Sequence, residues 1–470
     1  MGDYRDFIAR KHIRTSQSGF EPDEGAIPAG LFDWQAEAVR WACRTGRAAI
    51  FAACGMGKTA MQLAWARQVA IHAGGPVLIL APLAIGRQTE AEGRKFGVEA
   101  RYIRSMDAVG DAGIYIMNYE MLEHVEPGRF AGIVLDESSI LKALMGKTRN
   151  LLIAMFQCVP YRLCCTATPA PNDYTELGNH AEFLGAMTMN EMLSTWFVND
   201  GFQAGKWRIK GHAKNSFWDW LASWAVCMNK PSDLGPQYSD EAFRLPALVT
   251  VKHILPSTMS DGESVAEWMR HLAAKPSAST LKKEMRRTLA QRVAEAARTV
   301  REDLKPDEQC LVWCELNDES AALAQAIPGA VEVTGSMKNE LKEQRMLDFA
   351  SGKIRVLVSK PKICGFGMNF QSCHQMIFVG MSFSFEGRYQ AIRRCWRFGQ
   401  THDVYDHVVL AGQEERIFKA VAEKERAYIE MEESMAGTFS QTARMAAIAK
   451  KKYDGQADVK TPSFLVRRTS

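Results

Sequence analysis

A short apolar run, Ala48 to Phe51, leads into Ala53-Cys54-Gly55-Met56-Gly57-Lys58-Thr59, and that segment continues into the helix-forming stretch Ala60 to Ala66. A buried strand, a tight glycine turn and a helix in this order put the turn at a strand's carboxyl edge. The helix amino terminus then directs its free N–H groups at whatever binds there. Gly55 and Gly57, with Met56 between them, let the backbone come close to phosphate oxygens. Lys58 reaches the β and γ phosphates, and Thr59 suits magnesium. The usual spacing has one more glycine at position 52, where this chain has Ala52.

A second apolar run, Gly132 to Leu135, ends in Asp136-Glu137. Beside the phosphate turn, Asp136 would position magnesium through water, and Glu137 would orient or deprotonate the attacking water. Taken alone, the pair also suits solvated acids capping Ser138 and Ser139; joined to Lys58, it points to triphosphate hydrolysis. Far downstream, Gln390 to Gln400 carries Arg393, Arg394 and Arg397. On a helical turn Arg394 and Arg397 share a face. Such a pair suits charge growing on a γ-phosphoryl group across a cleft, and equally a patch for nucleic acid or an acidic partner.

At 470 residues the chain exceeds what one hydrophobic core usually organises. Apolar runs at 48–51, 77–81, 114–117, 133–135 and 163–165, separated by helix-length stretches, predict parallel strands joined by crossover helices. A weaker set follows at 310–314, 330–333, 356–358, 375–379 and 404–409, so the fold class is α/β with two such parts. The expected divisions are a polar lead-in at 1–27, a first domain at 28–186, a hinge with elaborations at 187–250, a second domain at 251–436 and a basic tail at 437–470. The 11 cysteines fall mostly inside apolar runs without paired metal-ligand spacing, which favours core thiols in a reducing compartment over zinc. No apolar span approaches the ~20 residues a bilayer needs, so a soluble cytoplasmic protein is expected. A net charge of +4 identifies no partner, although Lys282 to Arg301 holds seven Lys or Arg against two acids.

Taken in order, these segments resemble superfamily 2 helicases and translocases over about residues 28 to 430, more closely the Swi/Snf-type remodelling ATPases than the DEAD-box RNA enzymes. Leu31 to Gln35 is similar to the family's adenine-reading segment, which implies Gln35 as an adenine contact. Gly55 to Thr59 matches the phosphate loop, and Asp136-Glu137-Ser138-Ser139 stands where the family often has D-E-A-H. Thr166-Ala167-Thr168-Pro169 resembles the S/T-A-T motif, implying that Thr166 and Thr168 couple nucleotide state to the other domain and the track. Gly365-Phe366-Gly367-Met368-Asn369 resembles G-x-G-x-N, implying a close contact at Gly367 and polar pairing by Asn369 at the cleft. Gln390 to Gln400 resembles Q-A-x-D-R-x-H-R-x-G-Q and puts Arg394 and Arg397 at the finger positions. Arg393 replaces the family's acid there and Trp396 its histidine. The resemblance implies two RecA-like parallel-sheet domains in tandem around an ATP cleft, with helical elaborations, ATP and Mg2+ as cofactors, and movement on duplex or branched DNA.

For a nucleic-acid track the sequence offers Asn118, the Thr166 to Thr168 turn, the basic stretch around Arg286 and the Lys206 to Lys214 region with Trp207. Trp207 either stacks a base or packs beside Trp218, Trp220 and Trp224. Family analogy suggests a compact bacterial or phage enzyme of replication, recombination or repair, monomeric when free. An RNA helicase, and a nucleotide-gated DNA-binding module without processive translocation, stay open on these residues.

Overall fold

The structure, a computed structural model, describes residues 18–452 except 83–84, 144–145, 200–206, 257–263, 265–277, 365–367 and 413; residues 278–280 and 439–452 are described by backbone alone. The first half builds β1 (Arg47–Ala52), β2 (Val77–Ala81), β3 (Ala100–Tyr102), β4 (Ile114–Asn118), β5 (Gly132–Asp136) and β6 (Tyr161–Thr166). An antiparallel hairpin, β7 (Phe197–Asn199) with β8 (Trp207–Ile209), precedes β9 (Ala225–Met228). All but the hairpin form one sheet in the order β3-β4-β2-β5-β6-β1-β9, parallel throughout. Every residue of β2, β4 and β5 is buried, as strands covered on both faces require.

The second half adds β10 (Leu248–Leu255), β11 (Cys310–Trp313), β12 (Ala330–Val333), β13 (Val356–Ser359), β14 (Gln375–Val379) and β15 (Val404–Ala411). These form a second parallel sheet in the order β10-β15-β14-β11-β13-β12. The molecule is thus two RecA-like lobes with helical additions. Five strands escaped the apolar-run reading: the hairpin strands β7 and β8, and three that join the sheets. β3 is short and partly exposed, β10 is an edge strand with alternating exposure, and β9 comes from within 187–250 yet completes the first sheet beside β1.

Sheet order positions the chemistry. β5, β6 and β1 are neighbours and parallel, so Asp136, Thr166 and the turn after Ala52 emerge along one edge. Adjacent strands lie about 4.8 Å apart, which keeps those three carboxyl ends within side-chain reach of one another.

The helices that matter for the site are α1 (Asp33–Thr45), α2 (Lys58–Ala73), α3 (Lys214–Ala222), α4 (Ala278–Arg287), α5 (Leu289–Arg298), α6 (Phe385–Ile392) and α7 (Glu414–Lys452). α2 buries Met61, Leu63, Ala64, Trp65, Ala66 and Val69, nearly all round, because it is wedged between the sheet and α1. α4 and α5 carry most of the basic stretch Lys282 to Arg301. α7 runs unbroken across position 437. It starts in the second lobe, where the buried Arg292 pairs with Glu414 and Glu319, and reaches back to pack on α3 and β9 of the first. There Tyr428 donates its hydroxyl to the Ala167 carbonyl, and Met435 Sδ lies 3.8 Å from Cys227 Sγ. Among the described residues, no helix is long and apolar enough to cross a membrane.

Candidate functional site

The turn after β1 needs its glycines. Gly55 and Gly57 have φ of +89° and +73°, in the left-handed region that side chains avoid. A Cβ on Gly57 would lie 2.3 Å from Gln35 Nε2, and one on Gly55 would lie 3.0 Å from the Phe398 ring. Gln35, 5% exposed, accepts the Phe32 N–H at 3.0 Å and donates to the Met56 carbonyl at 3.1 Å, so α1 braces the turn. Lys58 opens α2 and folds its ammonium onto the carbonyls of Ala52 at 2.7 Å and Ala53 at 3.2 Å. Thr59 follows in the same first helical turn.

The two acids differ in their surroundings. Asp136 is buried, with Oδ1 accepting from Gln62 Nε2 at 2.7 Å; burial raises its carboxyl, and Gln62 and the Lys58 charge act against that. Tyr119 holds the strand end by donating to the Asp136 carbonyl at 2.8 Å. Glu137 has φ +57°, the only left-handed non-glycine among the described residues, a strain of about 1–2 kcal/mol. Burial raises its carboxyl as well, offset by Lys58 and by a 2.6 Å bond from the Thr166 hydroxyl. A carboxylate moved toward neutrality makes a better proton acceptor.

From Glu137 a polar chain crosses to the other lobe. The Thr168 N–H donates to Thr166 Oγ1 at 3.0 Å, and the Thr168 hydroxyl donates to Glu386 Oε1 at 3.3 Å. Lys142 of the first lobe pairs with the same Glu386, which lies in α6. α6 runs directly into the arginines. Arg393, 4% exposed, donates from Nη2 to the Cys54 carbonyl of the phosphate turn at 3.1 Å, with its guanidinium 5.0 Å from the Trp396 ring. Arg394 donates from Nη1 to the Met368 carbonyl at 3.2 Å.

The Nε atoms of Arg393, Arg394 and Arg397 are all buried and have no hydrogen-bond partner among the described residues. Burial lowers Arg394 and Arg397, and the neighbouring arginine charges add to this for Arg397. Guanidinium does not give up its proton in proteins, so three neighbouring guanidiniums of this kind offer donors that suit an anion. Together with two left-handed glycines, a helix amino terminus and Lys58, these donors fit a triphosphate. Thr59 and Asp136 are donors of the hard oxygen type that magnesium takes, with phosphate and water completing its shell.

Other residues singled out by sequence sit differently. Asn118 is 4% exposed and donates to the Tyr102 hydroxyl at 2.6 Å, so it faces the interior rather than a surface track. Trp207 is half-buried against the aromatic core rather than standing free. Asn369 is exposed and bonds Gln371, closing a local turn instead of entering the cleft. Gly367 lies outside the described residues. Thr166 and Thr168 are fully buried, and Arg286 is exposed beside Lys282 and Lys283.

Sequence reasoning missed Gln62, Glu386, Phe398 and the role of Arg393. The signals were faint: Arg393 stands where the family has an acid, and Glu386 precedes Gln390 by one helical turn.

Residues 291–399 match the family model described as helicase conserved C-terminal domain. No curated protein matches the chain. A solved structure, the Sulfolobus solfataricus SWI2/SNF2 ATPase core in complex with dsDNA, is similar at 18% identity over 92% of this chain and 99% of that one, with a TM-score of 0.42.

Proposed function

We propose that the chain is an ATP-hydrolysing motor that moves on duplex or branched DNA. One observation carries the reading: Arg393 of the second lobe donates to the Cys54 carbonyl of the first lobe's phosphate turn, 339 residues away. Arg394 and Arg397, whose buried Nε atoms have no partner among the described residues, lie near enough to that turn for Cys54 to act on both electrostatically.

In this reading the backbone at Gly55, Met56 and Gly57 receives the phosphates, and Lys58 exchanges its carbonyl partners for phosphate oxygens. Magnesium, held by Thr59 and Asp136, would neutralise phosphate charge. Glu137 takes the proton of the attacking water, and Arg394 and Arg397 meet the charge that gathers on the γ-phosphoryl group, giving ADP and phosphate. Loss of that anion removes the counter-charge between the lobes. The Glu137–Thr166–Thr168–Glu386 chain carries the change to α6, and the lobes part. Displacement along DNA follows if the track is held with different strength in the two states. Exposed Lys282, Lys283 and Arg286 suit backbone phosphates, which are indifferent to base sequence.

The test is ATP turnover measured without nucleic acid and with single-stranded DNA, duplex DNA, forked DNA and RNA. Stimulation by duplex or forked DNA supports the motor. RNA-only stimulation reverses the choice of track, and nucleotide-sensitive DNA binding without displacement of a labelled third strand reduces the protein to a gated binding module.

A further inference from the structure

Tyr428 of α7 is 3% exposed, and its hydroxyl stands between two acceptors. It meets the Ala167 carbonyl on one side and lies 2.7 Å from Glu432 Oε1 on the other. A phenol carries one proton. With that proton on Ala167, the second contact is a hydrogen bond only when Glu432 holds a proton of its own and donates it to the Tyr428 oxygen. An ionised Glu432 instead competes with Ala167 for the one donor.

The surroundings of Glu432 bear on its charge. A void of about 10 Å³, room for one water at most, borders it and Ala167 and is lined also by Phe51, Pro169, Cys227 and Met228. Burial pushes the Glu432 carboxyl up to about 7; the Tyr428 hydroxyl, Arg393 after α6 and Lys58 at the head of α2 act against that, and Asp233 after β9 acts with it. Tyr389 of α6 and Cys227 of β9 also lie close, and burial pushes both up, so they stay neutral.

The contact falls at a sensitive place. Ala167 lies between Thr166, which donates to Glu137, and Thr168, which donates to Glu386 of the second lobe. α7 therefore grips the middle of the polar chain that joins the acid to the lobe contact.

Resting on the hydrolysis reading above, we propose that Tyr428 and Glu432 are positioning residues for Glu137, acting together as a proton-operated latch. Protonated Glu432 donates to Tyr428, and Tyr428 holds the Ala167 carbonyl. When Glu432 releases its proton to water, the Tyr428 hydroxyl turns to the carboxylate, because a bond to a charged acceptor is about twice as strong as a neutral one. Ala167 then loses its donor, and the turn that carries Thr166 loosens. The latch is closed below about pH 7 and opens as pH rises through that value.

Turnover of ATP at saturating duplex DNA is measured from about pH 6 to about pH 9 for wild type, Glu432→Gln and Tyr428→Phe, and the infrared difference between wild type and Glu432→Gln is recorded over the same range. Wild type is expected to lose about tenfold in kcat between about pH 6 and about pH 8, one unit past the midpoint. Glutamine keeps an N–H on the Tyr428 oxygen at every pH, so Glu432→Gln stays within about threefold of the wild-type plateau and has no alkaline limb. Tyr428→Phe lacks the hydroxyl and is flat, near the level that wild type reaches at about pH 8. The infrared difference shows a protonated-carboxyl band at about pH 6 that fades by about pH 8. An alkaline limb that survives in Glu432→Gln overturns the proposal, as does wild type without such a limb, Tyr428→Phe with the wild-type profile, or a difference spectrum without the band. Failure of the underlying reading has a separate signature: the band titrates as expected while no form of the protein hydrolyses ATP, which removes the motor and leaves the latch as a contact between α7 and the first lobe.

Discussion

Thr166→Val tests the link between Glu137, the proposed catalytic base, and the lobe contact. The Thr166 hydroxyl donates to Glu137 at 2.6 Å and accepts from the Thr168 N–H at 3.0 Å, and valine keeps the shape while removing both bonds. Burial holds the Glu137 carboxyl above its ordinary range, and the Thr166 bond works against that by favouring the ionised form. Removing the bond therefore raises the acid further, and at a given acidic pH less Glu137 is available as a base. A hydrogen bond to a charged group contributes about 1.5–3 kcal/mol, and about 1.4 kcal/mol moves an acid's midpoint by one pH unit. The acid limb of the kcat profile should rise by about one pH unit, with an approximately tenfold loss below the limb and a plateau above it within about threefold of wild type. Thr166→Ser should restore the wild-type limb. The orphaned Thr168 N–H costs about 1–3 kcal/mol of stability, read separately by thermal melting. An unmoved acid limb under a uniformly lowered plateau would refute the reasoning, because it would mean that Thr166 only positions the turn.

Lys58→Ala should weaken binding of a non-hydrolysable ATP analogue at least about tenfold in calorimetry, whereas Glu137→Gln should bind it within about threefold of wild type and turn over ATP about a hundredfold more slowly. Arg397→Ala should lower kcat by about a thousandfold with KM changed only a few-fold; unaltered DNA-stimulated turnover would count against a finger role. Burial raises the Glu432 carboxyl to about 7, above its value in the unfolded chain. The stability tied to its neutral form is therefore complete below about pH 4.5 and is lost as pH rises through about 7. Glu432→Gln should accordingly stabilise the fold by about 2–3 kcal/mol at pH 8 and by less than about 1 kcal/mol at pH 5, and equal melting shifts at both pH values would contradict the assignment.

Strands buried on both faces were legible because their apolar runs need no context. Val77–Ala81 and Gln375–Val379 fall where the runs predict them. β9 was hidden because Ala225–Met228 sits among tryptophans and turns, and its place in the first sheet depends on pairing with β1 from 176 positions earlier. β10, at an edge, alternates exposure and carries Lys252 and His253, so no apolar run marks it. The places of the glycine turn after β1 and of the acid pair at the end of β5 could be read because each is local in sequence. The bonds that join them could not: Gln62 to Asp136 spans 74 positions, Thr168 to Glu386 spans 218 and Arg393 to Cys54 spans 339. Only folding brings such partners together, and single polar residues far apart carry no periodic signal.

The polypeptide passes between the lobes twice, once between β9 and β10 and again when α7 returns to lie on α3 and β9. A body attached at one joint can roll, yaw and tilt; attached at two, it swings about the line through them. In the motor proposed above, the second lobe would be confined to a single arc, and its arginines would approach and leave the turn after β1 by the same route in every cycle. The length of such a stroke would then be a property of the swing's radius rather than of random excursion.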